Sequence, residues 1–202
     1  MSLTDAPRQA SEDDSTRRAI VAAARDEMIK YGLRRANMEE IAARAGVSRV
    51  TVYRRFKNKS DLLAAVVNDF IASYLAEFDQ ILAQTLSPAE KIEAITVLSV
   101  DEIRRNPLLA NLRQSDLDEM ARLLMLDDTA TTDGWRLWLV DRFGQLIPDK
   151  SATGSELARR AELVSRLFVS FYLQPAGVLP GRTSAEVRAF ARDFLIPIIL
   201  RC

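Results

Sequence analysis

The chain contains no histidine, which removes the most frequent general base and the most frequent metal ligand from any account of its chemistry. Its one cysteine, Cys202, rules out an internal disulfide framework and a cysteine-based metal site. No stretch approaches the roughly 18 uninterrupted apolar residues of a membrane span, and residues 1–18 lack the apolar segment of a secretory leader. A reducing, cytoplasmic setting without membrane association is the expectation. Phosphate-loop and metal-ligand spacings are missing too, so catalysis would have to rest on Asp or Glu pairs that look like surface charge. No catalytic residue, metal or cofactor is assigned, and the chain is not read as an enzyme. Alternating strand patterns and internal repeats are also absent.

What is present is enough apolar material for a core: 48% of the 202 residues are hydrophobic. Positive and negative charges balance at 28 each, but unevenly along the chain. Residues 1–62 hold 13 Lys/Arg against 9 Asp/Glu, a surplus of four, and residues 63–202 hold 15 against 19, a deficit of four. A polyanionic partner for the front of the chain alone fits that split.

Apolar spacing is helical nearly throughout, giving an all-α fold of about nine helices. Residues 1–14, polar and almost without aliphatic groups, read as a disordered lead. A first helix follows Ser15 with Ile20, Ala24, Met28 and Tyr31 on one stripe, and Gly32 is placed to end it. A second starts at Asn37, which stands at capping-box spacing from Glu40, and Gly46 turns the chain. A third runs from Ser48 to about Phe56. The fourth starts at Asn58 and is long enough for a strut between an N-terminal domain, residues 15–62, and a C-terminal one, residues 63–202. Ser87-Pro88 and Asn106-Pro107 open two more helices. Periodicity returns over Leu117–Leu126, while the path of residues 127–134 stays open between loop and turn. The last two long helices cover about Glu156–Gln174 and Ala185–Leu200, with Pro197 expected to bend or end the second.

The informative constellation lies within residues 37–62, with its core at 37–56: a short helix, a glycine turn, a second short helix and a cationic start to a third. Ala42 and Ala45 let two helices cross closely, Gly46 can take the positive φ of the turn, and Val47, Val52 and Phe56 supply the buried side. Between Arg44 and Lys59 stand six basic residues, Arg44, Arg49, Arg54, Arg55, Lys57 and Lys59, without one carboxylate. That is a phosphate footprint. The N-terminal residues of a recognition helix enter the major groove, so Arg49 and Thr51 are the candidate base readers, with Val50 against a thymine methyl. Ser48, Tyr53, Arg54 and Lys59 are the backbone-holding candidates, and Asn37 caps the supporting helix. Lys59 opposes its helix macrodipole at a cost of about 0.3–1 kcal/mol, which a DNA phosphate would turn to attraction.

Ile41-Ala42, Ala45-Gly46-Val47-Ser48, Val52-Tyr53, Phe56, Lys59 and Leu62 together resemble the signature of the TetR family of bacterial transcription regulators. The resemblance covers roughly residues 15–65, with Val50 and Asn37 departing from the usual small residue and Thr or Ser cap. It implies a homodimer formed through the last two long helices, a small-molecule effector pocket in the larger domain, and phosphate contacts from Tyr53 and Lys59. A ligand-controlled repressor of a palindromic double-stranded operator is then the expected function. Effector binding would alter the spacing of the two recognition helices, with the fourth helix as lever.

Tyr74, Phe78, Met120, Met125, Trp135, Trp138 and Phe143 are the candidate lining of that pocket, although helical spacing asks for apolar residues there with or without a ligand. Leu157, Val164, Phe168, Phe171, Val187, Phe190, Phe194 and Ile198 exceed one narrow buried stripe, and a partner subunit is the expected outlet for them. The alternatives are an all-α carrier or enzyme using an apolar cavity without DNA binding, and a regulator without an effector. Conversion of a small molecule without DNA affinity marks the first; a panel of compounds that never releases operator marks the second.

Overall fold

The computed structural model describes residues 6–118, 129–147 and 153–200, with side chains from Asp14 in the first stretch and from Leu137 in the second. Every element among these residues is helical: α1 Ala6–Arg35, α2 Met38–Arg44, α3 Arg49–Arg55, α4 Lys59–Leu82, α5 Pro88–Arg105, α6 Pro107–Ser115, α7 Thr129–Leu146, α8 Gly154–Leu173 and α9 Ser184–Phe190. A π-helical turn, Ala191–Leu195, then leads into α10, Ile196–Leu200.

The boundaries follow from local chemistry. Helix α1 is broken at Gly32, whose φ of 77° and ψ of 169° are open to glycine but not to a residue with a Cβ. Its backbone is helical from Ala6, so residues 6–14 depart from the disordered lead that their composition suggests; extending a nucleated helix costs little per residue. Ser87 closes a full capping box with Glu90 at the start of α5, and Thr183 closes another with Glu186 at α9. Pro197 does not end the last helix. It offers no N–H to the preceding turn, and the π-helical register, in which the Ile196 N–H bonds to Ala191 O, carries the chain past it. The open stretch 127–134 is helical from Thr129, and residues 127–128, like Met120 and Met125, lie outside the described residues.

The helices gather into two compact units. The first contains α1–α3, the start of α4 as far as Tyr74, and α6. Its core holds Ile20, Ala24, Met28, Ile41, Val52, Leu62, Leu63 and Val66, joined by Leu108, Leu109 and Leu112 of α6. Thus α6, which follows the 62–63 boundary in sequence, packs on α1. The second unit contains the rest of α4, α5 and α7–α10 around Ile92, Leu139, Phe143, Leu146, Ala161, Val164, Phe171, Phe190, Leu195 and Ile199.

That core corrects part of the proposed partner surface. Val164, Phe171 and Phe190 belong to the protomer's own core and Val187 is buried as well, so none has area left for a second subunit. An apolar stripe has the same period whether its cover is intramolecular or intermolecular. Leu157, Phe168 and Ile198 are partly buried against the core, and Phe194 stays 51% exposed. Of the candidate pocket residues, Phe143 is core, Phe78 is buried, and Phe78 meets Trp138 edge-on at 4.7 Å between centroids. Tyr74 stacks on Phe70 one turn back along α4. The side chain of Trp135 lies outside the described residues.

Candidate nucleic-acid interface

Helices α2 and α3 owe their starts to short polar side chains. Asn37 caps α2 by accepting from the Glu39 N–H at 2.9 Å, rather than closing a box with Glu40. The turn follows at Gly46, φ 68°, with open space around its Cα. Ser48 caps α3: its Oγ accepts from Thr51 N–H at 3.1 Å and lies 2.9 Å from Thr51 Oγ1. Val52 and Phe56 pin α3 from below at 0% and 4% exposure.

With that side buried, the opposite side of α3 faces outward. Val50 is 76% exposed and Tyr53 41%, side by side with the exposed cations of the same helix. Ser48, Arg49 and Arg54 are exposed, and Thr51 is half-buried. Arg49 is bound in place: its guanidinium donates to Glu39 Oε1 and lies 5.4 Å from the centre of the Tyr53 ring. The contact with Tyr53, then the Glu39 charge, hold its pKa above the ordinary arginine value, so it stays cationic.

Lys59 opens α4 and donates from Nζ to the Arg34 carbonyl at 3.1 Å. Asn58 caps this helix through Asp61 N–H at 2.8 Å, and Asp61 supplies a negative charge in the first turn. The dipole cost expected for Lys59 is therefore offset within the protein, without waiting for a phosphate.

These parts converge. Arg35, Ala36, Asn37, Met38, Glu39, Arg49, Tyr53 and Lys59 line a shallow cleft of about 350 Å³, carrying three cations against one carboxylate. Four of the eight DNA candidates, Asn37, Arg49, Tyr53 and Lys59, meet there, while the cap Ser48 and Val50, Thr51 and Arg54 of α3 stand outside its lining. One cation of the basic run is also paired within the fold: Arg44, itself exposed, has Nη2 3.5 Å from the buried carboxylate of Glu27.

Two contributors escape a reading by sequence. Glu39 faces Arg49 from the neighbouring helix, where α2's exposed charges gave no sign of it. Glu27, 2% exposed, also accepts from Asn37 N–H at 3.4 Å, so it touches both ends of α2. Its place seven residues after Ile20 and three after Ala24, on the buried stripe, is the signal that marks it.

Comparison with known proteins agrees with this geometry. The family model described as bacterial regulatory proteins, tetR family, matches residues 20–66. An uncharacterized HTH-type transcriptional regulator of Mycobacterium tuberculosis (strain CDC 1551 / Oshkosh) is 30% identical over 167 residues, 80% of this chain and 74% of the relative. The HTH-type transcriptional repressor KstR2 of Mycolicibacterium smegmatis is 24% identical over 136 residues, 66% of each chain. Among solved structures, the TetR family repressor AlkX from Dietzia sp. superposes with a TM-score of 0.64 at 18% identity, over 91% of this chain and 96% of AlkX. FadR from Bacillus subtilis, solved with stearoyl-CoA, gives 0.57 at 16% identity over 90% and 96%. These superpositions carry the fold. With a cationic, outward-facing α3 on a glycine-turned support and a relative of this identity and coverage, the chain belongs to the TetR family and is a helix-turn-helix transcriptional regulator.

Proposed function

We propose that this regulator is a repressor that grips a palindromic operator as a homodimer and releases it when a small apolar effector binds. The observation that carries the DNA reading is the outward side of α3, where Val50 at 76% exposure stands beside Arg49 and the cationic cleft. Arg49 and Thr51 read base edges, Arg49 by a bidentate contact to guanine and Val50 by contact with a thymine methyl. Ser48, Tyr53, Arg54 and Lys59 hold phosphates, and Asn37 fixes the helix that supports α3.

A single short recognition helix covers few base pairs, and two-fold pairing with half-sites about 34–36 Å apart supplies the missing affinity. Leu163 on α8 and Phe194, at 52% and 51% exposure, are the anchors of the pairing surface, with the partly buried Phe168 and Ile198 as further contributors. Their exposure in the isolated protomer supports that role. An apolar effector suits the second unit because its interior near Phe78 and Trp138 is aromatic. The names of similar proteins point the same way: a repressor among the relatives, and a fold neighbour solved with an acyl-CoA. Arg142 near Trp138 is engaged by Asp79 and Asp141, which leaves little there to attract an anionic head group.

Selection from a random double-stranded pool at about 150 mM salt tests the reading. The expected product is a palindrome with half-sites about one helical turn apart, released by an apolar compound. Recovery of no shared sequence by folded protein would refute it.

A further inference from the structure

We infer that Asp116 is a positioning residue for DNA binding, acting through the turn after α1 to hold Lys59 at the cleft. The inference rests on the phosphate role proposed for Lys59. Asp116 follows α6 and is 2% exposed. Its Oδ2 accepts from the Leu33 N–H at 2.8 Å, a partner 83 residues away, and also from Ser115 Oγ. Its Oδ1 lies 3.5 Å from Arg34 Nε. Leu33 and Arg34 come directly after the break at Gly32, so the carboxylate grips the chain where its own helical bonding stops. The next link is Arg34 O, which accepts from Lys59 Nζ at 3.1 Å. A buried carboxylate on α6 thus fixes the carbonyl that tethers the cation opening α4.

Two further observations make this a built joint. Asn111 of α6 donates to Ile29 O at 2.7 Å, fastening the last turn of α1 before the break. At Gly32 a Cβ would stand 2.5 Å from Ser115 Oγ and 3.0 Å from Ser115 Cβ, so α6 approaches as closely as a glycine backbone allows. The bond to Leu33 N–H does the holding. The Arg34 pair contributes little, since Arg34's side chain is 76% exposed. Without the carboxylate the turn relaxes, the Arg34 carbonyl moves and Lys59 loses its place at the cleft.

The test is the salt dependence of binding to a labelled random-sequence duplex of about 30 base pairs between about 50 and 200 mM salt, because each lost phosphate contact lowers the slope by about 0.9. The slope is independent of the folded fraction, so a merely structural loss leaves it unmoved. Lys59→Ala is expected to lower the slope by about 0.9, Asp116→Ala by the same amount, and the double variant by no more than either. Asp116→Asn, whose Oδ1 still accepts from Leu33, restores it. Should Asp116→Ala not fold, Asp116→Ser, too short to reach Leu33, carries the same expectation. A normal slope in the Asp116 variant beside a lowered one in Lys59→Ala overturns this inference alone, as do additive losses in the double variant. A normal slope in Lys59→Ala overturns the phosphate role of Lys59 and the inference with it.

Discussion

Gly32 and Gly46 both have positive φ, at 77° and 68°, within the same compact unit, yet replacing each by alanine should have different consequences. At Gly46 nothing lies within 4 Å of an added Cβ, so Gly46→Ala meets only the left-handed backbone penalty of about 1–2 kcal/mol. At Gly32 the ψ of 169° puts the residue in a region essentially reserved for glycine, worth about 1–3 kcal/mol of strain. The new methyl also collides with Ser115, and overpacking of that kind adds about 1–3 kcal/mol. Gly32→Ala should therefore destabilise by about 2–6 kcal/mol, about 2.5 kcal/mol more than Gly46→Ala at the middle of the two ranges. Urea unfolding followed by far-ultraviolet circular dichroism measures this, at one fixed protein concentration for both variants. With slopes of about 1–3 kcal/mol per molar urea, the midpoints should separate by about 1 M. Equal midpoints, or a larger loss at Gly46, would refute the close approach of α6 to α1.

Other outcomes follow from the same geometry. Ser87→Ala and Thr183→Ala, each removing one half of a capping box, should cost about 1 kcal/mol apiece in the same assay. Asp79, bonded by Arg142 Nε and Nη2 at 2.8 and 2.9 Å, titrates below the ordinary carboxylate range, chiefly through those bonds. The unfolded chain therefore takes up that proton first as pH falls, so this stabilisation is complete above the ordinary range and lost as pH drops through the lowered folded value. Asp79→Asn should have a shallower acid limb in stability against pH, with no change of slope near neutrality. Glu39→Gln removes the one carboxylate of the cleft and should tighten binding to random duplex DNA, read by fluorescence anisotropy. Leu163→Asp combined with Phe194→Asp should shift the protein toward monomer in sedimentation equilibrium while its circular dichroism is retained.

Local chemistry made most helices legible in advance. Asn37, Ser48 and Ser87 are caps whose function needs only the next three residues, and Gly32 and Gly46 announce turns by lacking a side chain. The outward side of α3 was equally legible, because burial of Val52 and Phe56 leaves Arg49, Val50 and Tyr53 outside. Long-range arrangement was not. Nothing near Asp116 in sequence points to Leu33, and the grouping of α6 with α1 depends on a fit between Ser115 and Gly32 that periodicity does not encode. The same limit explains α8 and α9, where Val164, Phe171, Val187 and Phe190 turned to their own core and left Leu163 and Phe194 outside. Basic residues also do not declare their partners: Arg44 turns to Glu27, and Arg49 is shared with Glu39.

That α3 reads base sequence through Arg49 is tested most directly by the affinities of the native protein and Arg49→Ala for a selected operator and its single-base variants. The native protein should lose about 1–3 kcal/mol when one guanine in each half-site is changed, while Arg49→Ala should bind that variant and the parent operator equally. Retention of full discrimination at every position by Arg49→Ala would contradict the assignment.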